Sequence, residues 1–98
     1  MTKYCYVYTG DKNKEERLKR IDKAVKEIEK LKENVVFAVN DLQSISYLND
    51  KGYKALNLDA LADVYNLITH DDFLYVCTPE DTAMLKASYP NVKEICDE

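Results

Sequence analysis

Cys77 is the residue best placed to do chemistry. It ends the apolar run Phe73-Leu74-Tyr75-Val76-Cys77 and is followed at once by Thr78, Pro79, Glu80 and Asp81. Thr78 is an N-cap type, Pro79 fits the first helical position, and Asp81 is spaced to reach back to the Thr78 amide. A thiol just ahead of a helix amino end meets amide donors and the positive end of the helix dipole, which favour the reactive thiolate. Glu80 and Asp81 oppose that effect. The competing expectation is a buried cysteine that only packs, as is expected of Cys5 in mid-strand, with Cys96 a half-exposed thiol near the tail.

A strand that passes without a linker into a helix marks an α/β layer protein, whose ligands bind at the carboxyl ends of the strands. On that rim the segments Thr9-Gly10-Asp11, Asn40-Asp41, Asn57 to Asp59 and Cys77-Thr78 can approach one another. Thr9, Gly10, Asp11, Asn40, Asp41, Asp59 and Thr78 therefore form a candidate ligand rim, with helix amino ends offering backbone donors to an anion. The plainer expectation is that Asp41, Asp59 and Thr78 are helix caps. The acids also repel phosphate unless a divalent cation intervenes, so a third reading has Asp11, Asp41 and Asp59 assisting a metal-dependent ligand.

Other chemistries lack their residues. The only glycines are Gly10 and Gly52, so neither a phosphate loop nor a dinucleotide fingerprint can be assembled. A receiver domain needs an acidic pair after its first strand and a late lysine; only Asp11 follows the strand, and Lys93 is poorly placed. A Cys-x5-Arg phosphatase loop fails at Ala83. No Cys-x-x-Cys pair or zinc spacing is present, and His70 is the single histidine, beside Asp71 and Asp72 in an expected turn. The acid pairs Asp71-Asp72 and Glu80-Asp81 read first as turn and helix-start residues. No cofactor or metal is expected.

The elements that must position these residues follow from hydrophobic spacing. Tyr4-Cys5-Tyr6-Val7-Tyr8 alternates as a strand with three tyrosines on one face. Leu18, Ile21, Ala24, Val25, Ile28 and Leu31 draw the buried stripe of a helix from about Lys14 to Glu33. Val35 to Val39 is a continuous apolar run, as expected of a parallel strand covered on both sides. Leu42, Ile45 and Leu48 give a second helix, stopped by Gly52. A strand over Tyr53 to Leu58, a third helix through Leu61, Val64, Tyr65 and Ile68, and the strand Phe73 to Cys77 come next. A fourth helix spans Pro79 to about Tyr89, and Val92 to Cys96 is read as a short edge strand. This order predicts one α/β domain over residues 1–98, a small three-layer sandwich on a mostly parallel sheet of four or five strands. The alternative is a ferredoxin-like α+β sheet, if the second or third helix is a loop.

Charge narrows the partners. Residues 1–33 carry ten basic against seven acidic side chains, whereas 34–98 carry four against eleven. Nine of the fourteen basic residues lie between Lys12 and Lys32, interleaved with acids at helical spacing, as on a solvated helix face rather than a nucleic-acid stripe. The apolar runs are too short to span a membrane, the start lacks a signal-peptide pattern, and three cysteines without paired spacing fit a reducing compartment. A cytoplasmic protein that binds neither nucleic acid nor membrane is expected. Eight tyrosines and no tryptophan raise an interface hypothesis: tyrosines exposed together would mark a protein partner's surface or a homodimer seam.

The segments Tyr-Val-Tyr-Thr-Gly-Asp, Val-Val-Phe-Ala-Val and Leu-Tyr-Val-Cys-Thr, set around a long helix, resemble the DsrE-type sulfur-relay family over about a fifth of the chain. In that family a cysteine after a comparable strand carries persulfide between proteins, and the subunits assemble into oligomers. The resemblance implies a sulfur-carrier role for Cys77, which needs its sulfur open to solvent. The Lys/Glu-rich first helix departs from the family's small-residue one. The residues themselves favour a small binding or regulatory module acting through protein contacts, as an inhibitor or a homodimer, without catalysis. Sulfur transfer through Cys77 and metal-assisted ligand binding at the rim stand beside it as alternatives.

Overall fold

The computed structural model describes residues 2–8, 13–58, 61–77 and 79–95. Nine elements alternate along the chain: β1 (Lys3–Val7), α1 (Lys14–Leu31), β2 (Val36–Val39), α2 (Leu42–Asp50), β3 (Lys54–Asn57), α3 (Leu61–Leu67), β4 (Phe73–Val76), α4 (Pro79–Ser88) and β5 (Val92–Glu94).

Local signals account for the helix ends. The Asn13 side chain accepts a hydrogen bond from the Glu16 amide at 2.9 Å, and Glu15 and Glu16 occupy the first turn, where the helix dipole favours acids. Ile21, Ala24, Val25 and Ile28 are buried along one stripe of α1. The helix stops at Lys32, whose φ of 54° is left-handed and whose amide donates to the Glu29 carbonyl. It therefore ends two residues before the expected Glu33. Asp41 caps α2, and Gly52, with φ 92°, turns the chain away from its far end, as the sequence predicts.

All four strand pairings are parallel, in the order β3-β2-β1-β4-β5. β1 is central, with Cys5 beside Phe37 on one side and Tyr75 on the other. Alternation along the strands divides the core in two. Cys5, Val7, Phe37, Val39, Tyr75 and Cys77 face Ile21, Val25 and Ile28 of α1 and Leu48 of α2. Tyr6, Ala38, Leu74 and Val76 face Val64 of α3, Ile68 just beyond it, and Leu85 of α4 with Tyr89 after it. Each fully buried side chain such as Ile28 or Phe37 contributes roughly 1.5–3 kcal/mol through removal from water. Helices on both faces of an all-parallel sheet make the three-layer α/β sandwich and leave no room for the ferredoxin-like alternative. No helix among the described residues is long and apolar enough to cross a membrane.

Candidate functional site

The strand order reverses between β1 and β4. From β1 the chain crosses by α1 to β2 on one side; β4 returns to the other side of β1 and leaves by α4 on the opposite face. Connections that part to opposite faces leave a crevice at the carboxyl ends of the two strands. Tyr8 and Cys77 are the described residues that follow these strands, and Asn13 and Arg20 belong to the start of α1. An Arg20 guanidinium nitrogen donates to the Tyr8 carbonyl at 2.9 Å, holding α1 against the end of β1. The Cys77 amide donates to the Tyr6 carbonyl at 3.0 Å, extending the pairing one residue beyond β4. Thr9, Gly10, Asp11, Asp59 and Thr78 of the expected rim lie outside the described residues.

Asn40 and Asp41, after β2, lie one strand over from Tyr8; Asn57, at the end of edge strand β3, lies two strands over. Asp41 is occupied as a cap. One carboxylate oxygen accepts from the Ser44 amide at 2.7 Å and the other from the Ser44 hydroxyl at 2.8 Å, with Ser44 fully buried. Of the two expectations for Asp41, the structural one describes its geometry. Among the described residues, no group of three histidine, cysteine or acidic side chains is arranged to hold a metal.

For Cys77 the buried alternative, not the open thiol, describes the geometry, and its disulfide is a feature the sequence reading did not expect. Cys77 is 1% exposed and disulfide-bonded, whereas Cys5 is free and buried; Cys96 lies outside the described residues. The cause is strand alternation: Tyr75 and Cys77 point to the same face as Cys5 and Val7, under α1 and beside Ile95. Burial also pushes the Cys5 thiol far up from its ordinary value, so neither described cysteine offers a thiolate.

The tyrosines do not gather on the surface. Tyr6, Tyr75 and Tyr89 are buried, Tyr4, Tyr8, Tyr47 and Tyr53 half-buried, and only Tyr65 is more than a third exposed. Two of the hydroxyls are bonded within the fold: Tyr47 donates to the Asp22 carboxylate and Tyr89 to the Val64 and Ile68 carbonyls. His70 is exposed as expected, edge-on to the Tyr89 ring with centroids 5.8 Å apart.

A feature the sequence did not signal lies at the opposite rim, at the amino ends of β1, β2 and β3. There a cleft of about 890 Å³ is bounded by residues 2–3, 31–36 and 52–54. The Lys3 ammonium donates to the Glu33 carboxylate on its wall. That bond, with help from the Tyr75 hydroxyl and the nearby Lys3 and Lys93 charges, holds Glu33 below the usual carboxylate range. The cleft is built from three separated segments, so no local motif announces it.

Comparison of the chain with protein-family models, curated proteins and solved structures gives no match. The likeness to the DsrE-type proteins is thus neither supported nor contradicted, and the condition it set, a Cys77 open to solvent, is not met in this state.

Proposed function

We propose that the chain is a non-catalytic binding domain that takes a small molecule at the carboxyl rim, where β1 and β4 part. The reversal of strand order is the observation that carries this reading, because it opens a crevice flanked by the amino ends of α1 and α4. Beside it Asn13 and Asp41 are helix caps, Asn40 follows β2 and Arg20 reaches the end of β1 from α1, hydrogen-bonding groups suited to recognition rather than to bond breaking. The test is an amide chemical-shift titration with a nucleoside monophosphate, a dicarboxylate and a neutral sugar, each with and without millimolar Mg²⁺. Saturable shifts at Tyr8, Asn13, Asn40 and Cys77 are expected. Their absence across the whole panel removes the reading, and shifts that need Mg²⁺ assign the rim's acids to a metal-assisted ligand.

A second reading concerns the protein partner. β3 ends the sheet with Lys54, Leu56 and Asn57 exposed, and an open strand edge favours pairing with a second copy. We place the domain in the cytoplasm on its composition and unpaired cysteine spacing, against which stands the buried Cys77 disulfide, a bond more common in oxidising compartments.

A further inference from the structure

We propose that the cleft at the amino ends of β1, β2 and β3 is a second binding site, for a small phosphate-bearing molecule. The side chains of Lys32, Asn34 and Lys54 have no hydrogen-bond or ion-pair partner among the described residues, and the Tyr53 hydroxyl has no hydrogen bond there. All four can donate: two ammoniums, one carboxamide and one phenol. The one acidic side chain on the wall, Glu33, is already held by Lys3 and Tyr75. A chain with a net charge of −4 thus gathers unpaired cations and neutral donors in one recess.

The carboxyl ends of α1 and α2 also approach this rim, each worth about half a negative charge, and lysines there complement the helix dipoles. Lys32 and Lys54 each bring a full positive charge, so the balance stays in favour of an anion. The volume of about 890 Å³ suits a mononucleotide-sized ligand. Tyr53, half-buried and edge-on to Phe37 at 5.3 Å between centroids, supplies a fixed ring beside the charged groups.

Lys32 provides the decisive variant. With φ at 54° it holds a left-handed conformation that glycine adopts without strain, so Lys32→Gly removes the charge without harming the end of α1. Lys54→Gln, on the exposed face of β3, is the second. The probes are adenosine 5′-monophosphate, inorganic phosphate and adenosine, followed by amide shifts at low salt up to about 10 mM. The monophosphate is expected to shift residues 32–36, Tyr53 and Lys54, and to bind roughly tenfold more weakly to each variant, while thermal unfolding of Lys32→Gly occurs at the same or a higher temperature. Phosphate alone shifting the same amides also supports the site. The proposal is overturned if neither anion shifts these residues, if adenosine shifts them as strongly as its monophosphate, or if both variants bind unchanged. Shifts confined to Tyr8, Asn13, Asn40 and Cys77 overturn it while supporting the carboxyl-rim reading.

Discussion

At the scale of single residues, Asp41 and Asp72 are spent on backbone geometry. Asp72 shows how. Its carboxylate accepts from the Thr69 amide at 3.0 Å, the Thr69 hydroxyl at 3.2 Å and the Thr2 amide at 3.2 Å, closing the turn before β4 and tying it to the start of β1. The Thr69 amide, opposed by partial desolvation and aided by the Thr2 amide, holds the Asp72 carboxyl below its ordinary value. A carboxyl lowered on folding contributes stability that is present above its unfolded-state value, about 3.9, and is lost as pH falls through its lower folded value. Urea unfolding should therefore show little change from this group between neutrality and about pH 5, and a decline below about pH 4. Asp72→Asn should be less stable at neutral pH and show a shallower acid decline. Parallel stability profiles for the two proteins from neutral to acid pH would remove Asp72 from the account.

At the scale of elements, α3 depends most on the rest of the molecule. Seven residues are too few for a helix to be stable alone in water. Tyr89, just after α4, reaches across to it: the buried hydroxyl donates to the Ile68 carbonyl at 2.9 Å and the Val64 carbonyl at 3.2 Å, and the ring stacks on Tyr65 at 5.8 Å. Tyr89→Phe keeps the ring and removes the donor, so it should destabilise the fold by about 1–2 kcal/mol without changing the urea slope. Faster amide exchange confined to α3 should accompany that loss, and unchanged stability would mean that the Tyr89 hydroxyl contributes nothing net. This dependence explains what was legible in the sequence. α1 and the strands around Phe37 and Leu74 were legible because their spacing or continuous burial is written locally. α3 was open to reading as a loop because its support comes from a tyrosine more than twenty residues away. The Asp41 cap was legible as a motif. The inward sulfur of Cys77 was legible only by following the strand's period past its end, and the cleft beside Lys32 and Lys54 was not legible because three distant segments build it.

At the scale of the whole molecule, the sheet is covered on both faces and its remaining exposure is at the edges. β5 is three residues long, and its Glu94 accepts from the Thr82 hydroxyl at 3.0 Å, so α4 leans over that edge. β3 packs against α2 on one face, but among the described residues its outer edge has no strand partner, and Lys54, Leu56 and Asn57 are exposed. Its single lysine is a weak deterrent to edge pairing. A twofold axis through Leu56 would set two copies antiparallel, with the two Leu56 side chains adjacent on one face and Lys54 of each copy opposite Leu58 of the other. Like charges would not oppose each other, and a continuous ten-stranded sheet would result. Sedimentation equilibrium should then show a monomer–dimer equilibrium in the range up to roughly 100 µM. Leu56→Lys, which places two cations side by side on that axis, should shift it to monomer while circular dichroism stays unchanged. A wild-type chain that remains monomeric throughout, or a Leu56→Lys dimer as tight as the wild type, would rule out the β3 edge as the seam.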